Sequence, residues 1–273
     1  MNLQHMYRGS DRGSNVDGLA KKSHKPTKYA TITDLPNEVL LMILSELTEH
    51  DLYSLALLCR RLNVMALPIY FSFFNFRFKP VIKQLSLKTY MACPLPGLRI
   101  ALFIGKLDRL EVDYSDIFHG VCFNRSFGRM LGVKRLVSRM SSISSVKLFG
   151  DSCGITMLVT WDILNILPGK ECQHLDISGN ANSFCVTLRG HPLHLQSLRS
   201  AAFLADFLFS PPFKTWVIRS INASPIRHLA LSADNVNLGD ILPQLTLPSL
   251  DTFSLSCQSL SSSDLTAFLT RHP

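Results

Sequence analysis

From Thr31 to Phe71 large apolar residues recur at helical spacing. Leu35, Val39, Leu40, Ile43, Leu44 and Leu47 mark a first helix, with Thr33 or Asp34 as its cap and Pro36 near its first turn. The tetrapeptide TEHD interrupts the pattern. Leu52, Leu55, Ala56, Leu58, Cys59 and Leu62 then predict a second helix running toward Pro68. These residues cover more than one helical face, more than a helical hairpin buries by itself. Apolar surface left in water costs about 25 cal/mol per Å², so the pattern demands a cover from this chain or from a partner.

Beyond Pro68 the period shortens. Phe71, Phe73, Phe76 and Phe78 stand on near-alternating positions and predict a strand, and LRIALFI reads as another. Short strands of Leu-x-Leu type then alternate with turns and helical pieces. The strands are RLEVDY (Leu110, Val112), SSVKLFG (Val146, Leu148), QHLDISGN (Leu175, Ile177), LQSLRS (Leu195, Leu198), RHLALSADN (Leu229, Leu231) and DTFSLSCQSL (Phe253, Leu255). MLVTWDILNILP, AAFLADFLF and the terminal SDLTAFLTRHP read as helical. The anchors Val146, Leu175, Leu198, Leu229 and Phe253 are 29, 23, 31 and 24 residues apart. That rhythm sits mostly within the leucine-rich repeat range of about 20–29 residues. Asn180 stands where such a repeat turns its corner, and Asp234–Asn235 offers a second corner. An ordinary α/β domain built from units of this length is the alternative. The helical ending at FLTRHP leads to no further strand, so the repeat region is expected to be truncated or incomplete at its C-terminus.

Composition narrows the chemistry. The 273 residues are 47% hydrophobic and 18% charged, enough for a sizeable core. The net charge of +8 is unevenly spread. Residues 1–30 hold Arg8, Arg12, Lys21, Lys22, Lys25 and Lys28 against Asp11 and Asp17, half of the excess. They form a polar basic leader with little apolar spacing, expected to be disordered, and KKSHKPTK has the composition of a nuclear import patch. No apolar signal region follows Met1, and no long apolar run predicts a membrane span. Seven scattered cysteines then read as reduced thiols in a cytoplasmic or nuclear protein.

Catalytic patterns are missing from the sequence. FGRMLGVKR and LPGKE lack phosphate-loop spacing. The pairs His119/Cys122, Cys172/His174 and His191/His194 have no second half with ligand spacing, and Asp113/Asp116 have nothing to act on. No catalytic residue, metal ligand or cofactor is assigned. Arg60–Arg61 read as residues that cap a helix end and reach solvent.

Residues 34–71, DLPNEVLLMILSELTEHDLYSLALLCRRLNVMALPIYF, resemble the F-box domain. The match comprises the Leu-Pro start, Glu38, the Val39/Ile43/Leu44/Leu47 helix, the Asp51–Leu52 restart, LALLCRRL and the run into ALPIYF. It departs at Leu62, where many members carry tryptophan. Residues 80–273 are similar, more loosely, to the leucine-rich regions of large fungal F-box families, with LPSLDTFSL and FLTRHP as matching pieces. The resemblance implies a short helical F-box bundle (31–71) after the leader (1–30). An α/β region (72–273) follows, an irregular leucine-rich-repeat solenoid with a parallel sheet. It implies a non-catalytic substrate-recognition subunit of a Skp–cullin–F-box ubiquitin ligase, docked to a Skp-type adaptor and through it to cullin and RING protein. Leu35, Pro36, Val39, Leu40, Ile43, Leu44, Leu52, Leu55 and Cys59 fall at the family's docking and packing positions. An unidentified protein substrate would meet the strand residues between the buried leucines, among them Lys147, Asp176 and Arg199. Membrane and specific nucleic acid are not expected partners. A scaffold or nuclear binding module using the basic leader, outside any ligase, remains the other reading.

Overall fold

The computed structural model describes residues 31–74, 76, 83–88, 94–114, 123–150, 154–179 and 193–272. Three helices come first: α1 (Asn37–Ser45), α2 (Glu49–Ala56) and α3 (Arg60–Ser72). Thr48 starts α2, its Oγ1 accepting from Asp51 N at 3.3 Å, so TEHD breaks the run by capping. The single second helix expected from the periodicity is two. Leu57 N bonds Ser54 O and Leu58 N bonds Leu55 O, which tightens the end of α2, and Cys59 is fully extended before α3. Apolar spacing stays compatible with a helix across this break, so the pattern alone did not register it. The fold needs the break because Leu44, Leu52, Ala56, Ala66 and Leu67 meet in one core only when α3 turns back.

Through Phe74 the aromatic run is the end of α3 and the turn after it, not a strand. Helix α3 passes through Pro68 to Ser72, with Tyr70 and Phe71 buried. Phe74 lies one helical turn beyond Tyr70, ring centroids 5.1 Å apart, and Phe76 packs on Phe71 at 5.4 Å. Aromatics around a helix end mimic the alternation of a strand when read in one dimension. Phe78 lies outside the described residues.

Seven strands follow: β1 (Gln84–Lys88), β2 (Lys106–Asp113), β3 (Ser142–Phe149), β4 (His174–Ser178), β5 (Ser200–Leu204), β6 (His228–Ala233) and β7 (Thr252–Cys257). They form one all-parallel sheet in sequence order. Between them lie α4 (Leu95–Ile100), α5 (Phe123–Arg139), α6 (Gly154–Ile166) and α7 (Phe213–Ala223), with α8 (Ser262–Arg271) after β7. Two 3-10 turns, Leu238–Asp240 and Leu242–Gln244, replace a helix between β6 and β7. The chain is thus a short helical bundle followed by an α/β region with a seven-stranded parallel sheet.

Three expectations for this region need correction. LRIALFI forms the second half of α4 and the turn after it, because Leu95 and Leu98 pack inward one helical turn apart. The strand expected at LQSLRS starts only at its last residue, Ser200, and AAFLADFLF is the rest of β5 followed by a 3-10 turn instead of a helix. Leu195 and Leu198 are buried ahead of the strand, while Ala201 and Phe203 carry its buried alternation. Alanine at the first of those positions hid the strand from a search for leucines. Strand β1 and helices α5 and α7 went unread as well.

In each strand from β2 to β6, residues of one face are buried and those of the other are exposed or half-exposed. Helices therefore cover one face only; a sheet covered on both faces has strands buried on both. Along the register row Leu85, Leu110, Val146, Leu175, Ala201, Leu229 and Phe253, successive positions are 25, 36, 29, 26, 28 and 24 residues apart. Leu148, Leu175, Ile177, Leu229 and Leu231 point into the core as expected, and Phe253 and Leu255 on β7 are half-buried. A single backbone device repeats at the strand starts. Lys83 O accepts from Asp108 N and Arg109 N, Gln173 O from Arg199 N and Ser200 N, Arg199 O from Arg227 N and His228 N, and Arg227 O from Asp251 N and Thr252 N. At the opposite end of the strands, Asp206 accepts from Asp234 N at 2.8 Å and Asn235 Nδ2 at 2.7 Å, which ties down the Asp234–Asn235 corner. Asn180, the other corner residue, lies outside the described residues.

Candidate functional site

The chain enters α1 through a 3-10 turn, Ile32–Asp34. Asp34 Oδ2 accepts from Thr31 N at 2.7 Å and from Thr31 Oγ1 at 2.8 Å. The Thr31 backbone N–H above all, then its hydroxyl and the Arg61 guanidinium, hold the Asp34 carboxyl below its ordinary value. Pro36, not Thr33 or Asp34, is the cap residue of α1. Arg61 clamps this segment. Its guanidinium donates to Thr33 O, to Leu35 O at 2.7 Å and to Asn37 Oδ1 at 2.7 Å. The expectation that Arg61 merely caps its own helix and reaches solvent fails, because three acceptors of the α1 start converge on its planar fork.

Helix α1 carries two apolar stripes. Leu40 and Leu44, four residues apart, are fully buried in the bundle. Val39, Met42 and Ile43 form a second stripe that faces solvent, with Met42 71% exposed. Leu57 and Leu58, in the α2–α3 turn, are 58% and 68% exposed. Arg61, just after that turn, is bonded to the start of α1, so both leucines sit at the same end of the bundle as that start. The nine sequence-selected residues divide into three groups. Pro36, Val39 and Ile43 are exposed, Leu35, Leu55 and Cys59 are half-buried, and Leu40, Leu44 and Leu52 are sealed in the core. Sequence reasoning passed over Met42 and Leu57 and assigned Leu58 to a helix; apolar residues falling off the buried stripe were the available signal.

The second candidate surface is the open sheet face. Its middle register row runs Ser86, Glu111, Lys147, Asp176, Ala202, Ala230 and Ser254. Lys147 Nζ lies 3.3 Å from Asp176 Oδ2, both side chains about one-third exposed. Asp176 Oδ1 is buried and makes no hydrogen bond. Arg199 is exposed but stands ahead of β5, outside this row; Ala202 holds the position beside Asp176. The structure therefore brings Lys147 and Asp176 together and leaves Arg199 apart from them.

Among the described residues no group of three or more His, Cys, Asp and Glu is placed to hold a metal ion. Cys59, Cys172 and Cys257 are free thiols, and burial raises that of Cys172 to about 12. Cys172 stands just ahead of β4 and donates from Sγ to the backbone carbonyl of His174, the first residue of that strand, at 3.4 Å; His119, Cys122 and His191 lie outside the described residues. No described helix is long and apolar enough to cross a membrane.

Comparison with known proteins agrees with the bundle's geometry. Residues 32–74 match the family model described as F-box-like. No curated protein and no solved structure matches the chain.

Proposed function

We propose that this chain is the substrate-recognition subunit of a Skp–cullin–F-box ubiquitin ligase. One observation carries the reading: the segment matching the F-box-like family, 32–74, holds an uncovered apolar stripe of Val39, Met42 and Ile43, with Leu57 and Leu58 nearby. Covering such surface contributes about 25 cal/mol per Å², and contiguous exposed apolar side chains mark interaction sites. Pro36, Val39 and Ile43 contact the Skp-type adaptor directly, with Leu35, Leu55 and Cys59 at the margin. Leu40, Leu44 and Leu52 hold the helices that present them. In this reading 1–30 is the leader, 31–71 the F-box domain and 72–273 an irregular leucine-rich repeat region.

The repeat assignment is supported by sequential parallel strands, one covered face and the recurring strand-start hydrogen bonds. The open face of that sheet recruits a protein substrate, with Lys147, Asp176 and Arg199 among its polar contacts. Adaptor, cullin and RING protein supply the ubiquitin transfer, and the chain works in cytoplasm or nucleus without chemistry of its own.

The test is co-purification of the full chain with a Skp-type adaptor, beside the double variant Val39→Glu/Ile43→Glu. Recovery should fall sharply in the variant while its thermal unfolding stays unchanged. Equal recovery overturns the docking assignment. Adaptor binding without ubiquitination of any captured protein favours a scaffold instead.

A further inference from the structure

Charge is unevenly distributed over the open face of the sheet. On the β1–β4 side the long side chains neutralise each other, Arg109 lying 3.8 Å from Glu111 and Lys147 3.3 Å from Asp176. On the β5–β7 side the same row continues as Ala202, Ala230 and Ser254, small and uncharged. At the strand-start margin of this half stand Arg199 and Arg227. Their strands are neighbours, and Arg227 N donates directly to Arg199 O at 2.8 Å. Both side chains are exposed, and neither guanidinium has a hydrogen bond or ion pair among the described residues. The exposed His174 and His228 flank Ser200 in the adjoining register row, and Asp251, just ahead of β7, bonds Arg227 O through its backbone N–H without an ion pair to the guanidinium.

We propose that the β5–β6 half of the open face binds an extended acidic peptide segment of a partner protein, its backbone over Ala202 and Ala230 and its carboxylates on Arg199 and Arg227. The inference rests on reading the open face as the recruiting surface and names the chemistry that surface selects. Without long side chains over Ala202 and Ala230, a peptide backbone comes close to the sheet. Alternate residues of an extended segment are about 6.6 Å apart and adjacent strands about 4.8 Å, a mismatch that two flexible arginines absorb. A guanidinium pairs with carboxylate through two parallel hydrogen bonds. The exposed arginines have no such partner within the described fold, whereas Lys147 and Asp176 are already paired through Asp176 Oδ2.

The full chain should bind a fluorescein-labelled decapeptide of alternating glutamate and alanine and not its lysine–alanine counterpart, with affinity falling as salt rises. Arg199→Glu/Arg227→Glu should weaken binding about tenfold or more, and Lys134→Ala/Asp162→Ala, which removes the 2.7 Å ion pair between α5 and α6, should leave it within about twofold. Only backbone atoms of Arg199 and Arg227 enter the sheet, so the charge reversal should fold; Arg199→Gln/Arg227→Gln serves the same purpose if it does not. Equal binding of both peptides, or full binding by the variants, overturns the proposal. Binding of a phosphoserine–alanine peptide in place of the glutamate one overturns the carboxylate assignment. A photo-crosslinking amino acid at Ser254 separates this from the underlying reading. A protein captured there in cells, and lost with the double reversal, supports the acidic site. Capture that survives the reversal defeats the acidic site and leaves the recruiting face standing, and no capture defeats the recruiting face itself.

Discussion

Leu102 N donates to Asn63 Oδ1 at 3.0 Å, thirty-nine residues away in sequence. The other end of the same side chain donates to Ala56 O and Ile100 O, each at 3.0 Å. Asn63 is 2% exposed. One buried amide thus joins α2, α3 and the end of α4, and couples the helical bundle to the α/β region. Asn63→Ala removes the partner of three backbone groups, one buried and two part-buried. At about 1–3 kcal/mol for each such group, partly relieved by water, it should cost roughly 2–4 kcal/mol. Urea unfolding checks this, and a loss below about 0.5 kcal/mol would mean the join is held elsewhere.

Gly97 in α4 lies beneath the aromatic cluster of α3. A Cβ there would meet Tyr70 Cε1 at 2.5 Å and Phe71 Cε1 at 2.8 Å. Helix propensity favours Gly97→Ala by about 1 kcal/mol, but displacing two packed rings costs about 1–3 kcal/mol. Net destabilisation is expected in thermal melts. Gly105→Ala has open space around it and should be neutral or slightly stabilising.

The two stripes of α1 should respond oppositely. Leu44→Ala, fully buried, should cost about 2–5 kcal/mol of folding stability. Met42→Ala and Leu58→Ala remove exposed side chains and should change stability by less than about 0.5 kcal/mol, while weakening adaptor recovery. Unfolding curves and quantitative pull-down on the same preparations separate the two effects.

Asp34 gives the bundle a pH signature. Its carboxyl ionises more readily folded than unfolded, so the ionised form favours the native state. The stabilisation is fully present above the ordinary carboxylate range and is lost as pH falls through the depressed folded value. Asp34→Asn should therefore be less stable than the parent at pH 7, with the difference closing as pH drops below 3.8, the ordinary value. Melting temperatures of both proteins across that range provide the check; a gap that widens in acid would refute it.

Basic side chains tie successive helices together. Arg139, at the end of α5, donates to Arg99 O, Ala101 O and Ile104 O around the end of α4. Lys170 donates to Ser138 O and Met140 O around the end of α5, and Arg271 to Leu242 O and Pro243 O. Arg139→Met keeps the apolar stem and removes the donors. It should cost about 1–3 kcal/mol and speed amide exchange in α4 and α5 more than in α7.

Local chemistry made much of this molecule legible. TEHD stopped a helix because Thr48 Oγ1 accepts from Asp51 N, and Leu175/Ile177 or Leu229/Leu231 alternated because one side of each strand is buried. Those features depend on residues a few positions apart, so a one-dimensional pattern contains them. Tertiary packing decided the rest. Phe71 and Phe73 alternate like strand residues, yet Gly97 of a later helix makes room for the Tyr70 and Phe71 rings and keeps them on α3. Ala201 became a strand anchor because its register neighbours Leu175 and Leu229 do, not because alanine announces one. The candidate docking residues divided the same way. Periodicity showed that α1 held more apolar residues than one stripe, but Val39 and Leu40 are adjacent in sequence and equally apolar. Burial of Leu40 against a core closed by α3, and exposure of Val39 beside it, follow from where the other helices lie, and no local pattern records that.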